Sequence, residues 1–179
     1  MNALEDKQIL IVVGQKNYNT EEFNQLFETL EAEGADVCVA SNTMEKALGR
    51  LEGFVSPDIS IAEVHEEDFD ALVIIGGYGA RLYLWDSQDL QELVRRFVKA
   101  KKIVAAASTA PVVLANAGVL DGRRATVYPD YESTLAIESS GGKYIHENVV
   151  TDDNIITSSH PRFITDLTGA IVGALKGSD

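Results

Sequence analysis

Residues 102–118 read KIVAAASTAPVVLANAG. An apolar, β-rich run passes through small residues into a helical stretch, with a hydroxyl, Ser108, at the junction. A nucleophile carried on a tight strand–turn–helix corner needs small neighbours, because bulk two positions away on either side would clash. Those positions are Ala106 and Ala110, an A-x-S-x-A pattern. Two chemistries remain open on the residues alone. Ser108 could attack an acyl or carbonyl carbon, provided that a base and oxyanion donors are near. Alternatively it only caps its own helix, accepting from an amide two or three residues on.

Only three histidines are available as an imidazole base. His65 lies in Val-His-Glu-Glu-Asp, a solvated turn before the amino end of a strand and on the wrong edge. His146 lies in a late strand region and is expected at the surface. His160 follows the run Ile155 to Ser158 and so emerges at the same edge as Ser108; it is either the base or a loop residue beside Pro161. Gly76-Gly77-Tyr78-Gly79 looks like part of a dinucleotide loop, but Leu82 stands where the third glycine of G-x-G-x-x-G belongs, and the loop does not follow the first strand. Asp70 precedes its strand, which argues against a phospho-receiver. No cofactor and no metal ion are expected.

The elements that position these residues follow from hydrophobic periodicity. Strands are expected at Ile9 to Val13, Asp36 to Ala40, Ala71 to Ile75 and Ile103 to Ala107. Later strands are expected at Ala125 to Val127, near Tyr144 to Val150, and at Ile155 to Ser158, with Asp152-Asp153-Asn154 turning into the last. Phe23, Leu26, Phe27 and Leu30 mark a helix ended by Gly34. Leu90, Leu93, Val94, Phe97 and Val98 mark a second, capped by Asp86 or Ser87. Pro111 to Ala117 is a short helix ended by Gly118, and Ile164, Leu167, Ile171 and Leu175 make the closing one. Thr43 to Leu51 reads equally as helix or, with Gly49, Gly53 and Pro57, as hairpin, so residues 43–62 stay open. The alternation predicts one domain over residues 1–179: a doubly wound α/β fold, flavodoxin-like, with a mostly parallel sheet and helices on both faces. In such sheets ligands gather at the carboxyl ends of strands. Residues 14–19, 76–81, 108–109 and 158–160 are delivered there.

Composition narrows the partners. The chain has 179 residues and a net charge of −13. That field repels nucleic acid and anionic membrane, and no Lys/Arg cluster stands against it. No apolar run nears the ~18 residues of a membrane span. Nothing at the N-terminus reads as a signal peptide, so a cytoplasmic protein is expected. The one cysteine, Cys38, sits in an apolar strand and is expected to be buried and inert.

Several segments together resemble the DJ-1/ThiJ/PfpI superfamily, of the class I glutamine amidotransferase-like fold. They are Glu22 twelve residues before Gly34, the stretch EGADVCVAS, Pro57-Asp58, residues 68–79 (DFDALVIIGGYG), the Ser108 corner, residues 117–126 (AGVLDGRRAT), Tyr128-Pro129 and residues 153–158 (DNIITS). The resemblance implies a reactive cysteine at the corner, followed by His and Gly, with a glutamate from the first helix touching it. It also implies an oxyanion hole from amides after the Gly-Gly strand, and a homodimer. Transferred by position, the cysteine is Ser108, the histidine Thr109 and the glycine Ala110. Glu22, Gly76 and Gly77 are retained, with Tyr78 next to them. A late Ser-Arg-Gly-Pro loop becomes Ser158-Ser159-His160-Pro161. Glu22 has a second reading, as the third residue of a helix capped by Asn19 in a capping box.

A thiol of pKa near 8.5 holds a thiolate reserve at neutral pH, whereas a serine hydroxyl needs a base, and Thr109 is not one. The sequence therefore predicts a divergent member without cysteine-dependent protease, glyoxalase or deglycase activity, acting as a small-molecule-binding or stress-associated protein. Its pocket would comprise Glu22, Gly77, Ser108, Thr109 and His160. The alternative is a serine-dependent hydrolase of a small acyl or carbonyl compound. Ser108 would then be the nucleophile, the amides of Gly77 and Thr109 the oxyanion donors, and His160 or Glu22 the base. A purely structural or interaction protein is the third class.

Overall fold

Runs of branched aliphatic residues build the middle of a seven-stranded sheet. The computed structural model describes residues 2–177. The strands are β1 (Gln8–Val12), β2 (Asp36–Ser41), β3 (Ile59–Ser60), β4 (Ala71–Ile74), β5 (Ile103–Ala106), β6 (Val149–Asp152) and β7 (Ile155–Ser158). Their spatial order is β6-β7-β5-β4-β1-β2-β3. Every neighbouring pair is parallel except β6–β7, a hairpin turned at Asp153, which takes a φ of 54°.

Side chains alternate along each strand, so one sheet feeds two cores. Leu10, Val12, Leu72, Ile74, Val104 and Ala106 face Leu90, Leu93, Val94 and Phe97 of the helix Gln88–Lys99. Ile9, Ile11, Val73 and Ala105 face α1 (Thr20–Ala32) and the closing helix Ile164–Lys176 on the other side. The sheet is therefore doubly wound with helices on both faces, as expected. Caps follow the local sequence. Asn19 accepts from the Glu22 amide at 3.0 Å, and Ser87, not Asp86, accepts from the Leu90 amide at 3.2 Å.

Some boundaries differ from the sequence pattern. Val13, Ile75 and Ala107 are fully buried but lie just past their strands, because the chain is already bending into loops there. Residues 125–127 give only the short strand Arg124–Ala125, which pairs with Lys143–Tyr144 away from the main sheet. The open stretch 43–62 forms no α-helix. Ala47–Gly49 and Phe54–Val55 pair antiparallel as a hairpin, and Lys16–Tyr18 joins as a third strand. Two short helices, Tyr78–Tyr83 and Tyr131–Ser139, carry too few core residues to show an apolar stripe in the sequence. Cys38 is half-buried, because β2 has only the two-residue β3 beyond it; burial and the Asp58 charge push its thiol pKa up. Among the described residues no helix is long and apolar enough to cross a membrane.

The order reverses at β1, with β2 on one side and β4 on the other. This topological switch point opens a crevice beyond the carboxyl ends of β1, β4 and β5. The loops after these strands carry Gly14, Gly76 and Ser108.

Candidate active site at the Ser108 corner

The turn after β5 places Ser108 in the left-handed region, with φ +50°. Such a conformation costs an L-residue of this kind about 1–2 kcal/mol and persists only where the surroundings hold it. Here the Ala107 amide donates to Ile74 O at 3.0 Å, the Ala110 amide donates to Ala107 O at 2.9 Å, and the Tyr128 amide donates to Ser108 O at 2.8 Å. Ala106, Ala107 and Ala110 are fully buried, which is why this corner is made of small residues. The next helix, Pro111–Asn116, has Ala110 at its N-cap and no side-chain cap, so Ser108 does not serve as one.

The Ser108 hydroxyl instead donates to Glu22 Oε1 at 3.2 Å, and the Gly76 amide donates to the same oxygen at 3.1 Å. Glu22 is 0% exposed and Ser108 1%, so this is a recessed pair. Burial raises the Glu22 pKa from 4.5 to about 7, outweighing the bonds from Ser108 and Gly76 and the Arg50 charge, which lower it. Glu22 Oε2 is buried with no hydrogen-bond partner among the described residues. The Glu22 carboxyl does not return to Asn19, whose amide donates to Gly76 O at 3.0 Å; only the Asn19 half of the capping box forms.

The glycines after β4 are steric requirements. A Cβ at Gly76 would fall within the Ser108 hydroxyl and 2.5 Å from Ala107 O. Gly77, with φ +95°, would push a Cβ to 2.7 Å from the Asn19 amide nitrogen. Thr109 Oγ1 donates to Gly77 O at 2.9 Å, joining the loop to the corner. Trp85 Nε1 donates to Thr109 O at 2.9 Å, and Arg81 stacks over the Trp85 ring. The backbone amides of Gly77 and Thr109 make no hydrogen bond among the described residues.

These groups border a cavity of about 520 Å³. That is a size typical of small-molecule sites. Gly77, Tyr78, Ser108, Thr109, His160 and Pro161 all line it, while Glu22 sits behind Ser108. His160 shares the cavity but is not hydrogen-bonded to Ser108. Its ring stacks on Tyr128, with centroids 5.6 Å apart, and its Nδ1 accepts from the Arg162 amide at 3.2 Å. Burial and the Arg162 charge lower its pKa. His65 and His146 are both exposed and line no part of this cavity. Among the described residues no cluster of His, Cys, Asp and Glu could hold a metal ion.

The DJ-1/PfpI family model matches residues 7–174. The chain belongs to the DJ-1/PfpI family. An uncharacterized protein of Methanocaldococcus jannaschii is 36% identical over 160 residues, 89% of this chain and 78% of that one. The deglycase PfpI of Pyrococcus furiosus is 31% identical over 135 residues, covering 75% and 80% respectively. The crystal structure of a ThiJ/PfpI domain protein from Brachyspira murdochii superposes with a TM-score of 0.92 at 30% identity, over 98% of this chain and 99% of that one.

In this DJ-1/PfpI chain Arg81 reaches the cavity from the segment 76–81 expected at this edge, and the cavity also recruits residues that sequence reasoning passed over: Arg50, Asp130 and Arg162. Arg50 lies in the stretch whose structure was open. Arg162 adjoins Pro161 but carries no motif. Tyr128 was visible only as part of a resemblance, with no role attached. Trp85 left no signal, because a ring bonding a distant carbonyl has no sequence pattern.

Proposed function

We propose that this chain is a small-molecule-binding member of the DJ-1/PfpI family that does not carry out cysteine-type covalent chemistry. The observation that carries the reading is the buried bond from Ser108 to Glu22. The hydroxyl's single proton is committed to a carboxyl whose pKa is near 7, and no imidazole is placed to take it. Ser108 then acts as an acceptor for a ligand, beside the free amides of Gly77 and Thr109. Relatives from Pyrococcus are named deglycases; the reading for this chain departs from that name because its corner residue is a serine.

The experiment uses the chain's single tryptophan, whose indole touches the corner. Small carbonyl compounds, esters and amides are titrated while Trp85 emission and turnover are both followed. The expected result is a saturable emission change with no turnover. Turnover that disappears in Ser108→Ala would overturn the reading.

One observation favours the second reading, a serine-dependent hydrolase. Glu22 with a pKa near 7 is suited to general-base work at neutral pH, and it already contacts the hydroxyl. In that case the amides of Gly77 and Thr109 would receive the oxyanion. A homodimer is part of either reading. Exposed Leu48, Leu51 and Phe54 on the hairpin support it, and a monomer in sedimentation velocity would remove it.

A further inference from the structure

The cations around the cavity are all arginines, on a chain whose net charge is −13. Arg81 is already neutralised: it pairs with Asp130 and with Glu132 at the start of the helix Tyr131–Ser139. Arg162 has no carboxylate partner among the described residues; its guanidinium lies 4.9 Å from the Phe163 ring centroid, which orients it without cancelling its charge. Among the described residues the ion-pair contact of Arg50 is the 3.9 Å one to Glu21, with both side chains more than half exposed. Such a contact holds little energy in water.

The backbone at both arginines is held in place. The Arg50 amide donates to Tyr18 O at 2.9 Å, and the Gly49 amide donates to Gly53 O at 2.7 Å, closing the hairpin end. Thr20 fills the space that side chains at Gly49 and Gly53 would need, with its Cγ2 2.5 Å from a Cβ built at Gly53. The hairpin end therefore seats on the first turn of α1, beside Glu22. The Arg162 backbone amide donates a hydrogen bond to His160 Nδ1 at 3.2 Å. Arg50 and Arg162 come from separate elements and line one cavity with Gly77 and Thr109, whose amides are unbonded among the described residues.

We infer that the ligand of this cavity is a small carboxylic acid, its carboxylate met by Arg50 and Arg162 while its carbonyl or hydroxyl meets the Ser108 corner. This rests on the small-molecule-binding function proposed for the same pocket. Arginine suits the role because its planar fork matches a carboxylate in two parallel bonds. Two acidic residues lie in the cavity wall: Asp130 is occupied by Arg81 and by the Ser133 amide at 2.7 Å, and Glu21 stands at the exposed rim, 3.9 Å from Arg50.

The test follows the Gly77 and Thr109 amide resonances of the full ¹⁵N-labelled chain. The probes are pyruvate and lactate, each beside its uncharged methyl ester. The acids are expected to shift both amides saturably, with the esters about tenfold weaker, the scale of one lost charge-assisted contact. The double variant Arg50→Gln/Arg162→Gln should reduce the acids to the level of the esters and leave the esters unchanged. Esters that match the acids, or a double variant that still prefers acids, would overturn the carboxylate inference while leaving the pocket reading intact. If neither acids nor esters move these amides, both fail.

Discussion

Replacing Glu22 by glutamine isolates the proton that the corner holds. Glu22 is fully buried, and its pKa rises from 4.5 to about 7 on folding. The folded chain therefore binds this proton more tightly than the unfolded chain does. Below about pH 4.5 both states carry it and the carboxyl contributes fully. Between pH 4.5 and 7 the unfolded state loses it first, so wild-type stability falls as pH rises, and above 7 the loss is complete. Each tenfold gain in proton affinity is worth about 1.4 kcal/mol, so the whole change amounts to about 3 kcal/mol. The glutamine amide cannot titrate, yet its carbonyl can still accept from Ser108 and Gly76. The stability of Glu22→Gln relative to wild type should thus rise by about 3 kcal/mol between about pH 4 and pH 8. In melting temperature this is about 6–12 °C for a chain of this length. Equilibrium urea unfolding of both proteins across that range measures it, since the other titrating groups cancel. Parallel stability profiles would refute the argument that burial governs this carboxyl.

Three further outcomes follow from the same geometry. Gly76→Ala should lower stability by about 2–3 kcal/mol, because its methyl group occupies the space of the Ser108 hydroxyl; an unchanged urea midpoint would show the corner to be loose. Ser108→Gly and Ser108→Ala both lose the bond to Glu22, but only glycine relieves the φ of +50°. The glycine variant should be about 1 kcal/mol more stable than the alanine variant, and equal unfolding midpoints would argue against strain. Trp85→Phe removes the donor to Thr109 O and should cost about 1–3 kcal/mol by thermal unfolding; a neutral change would mean that the carbonyl is served by water.

How much of this was legible beforehand depends on the kind of interaction. The parallel strands stand out because burial on both faces demands unbroken runs such as Ile9 to Val12. The Ser108 corner shows through its small neighbours, whose size follows from the sharp turn. The bond from Glu22 to Ser108 spans 86 positions and was reachable only through a resemblance. Its competing role, a capping box, is half realised, because Asn19 caps the helix while the Glu22 carboxyl turns inward. His160 reaches the right edge since it follows β7, but its ring is taken up by Tyr128 and the Arg162 amide. Arg50 and Arg162 were hidden for another reason. Isolated arginines in loops carry no periodicity, and only the closed tertiary structure brings them to one cavity.

The most direct measurement of the central claim is exposure of the wild-type chain to a fluorophosphonate probe, with intact mass and peptide mapping at residue 108. Ser108→Ala serves as the blank, and Ser108→Cys treated with iodoacetamide reports that the corner is reachable. A binding corner whose hydroxyl is committed to Glu22 predicts no phosphonylation of Ser108, while the cysteine variant is alkylated. Stoichiometric phosphonylation of Ser108 that is absent in Ser108→Ala would contradict the account and make the serine-dependent hydrolase the correct reading.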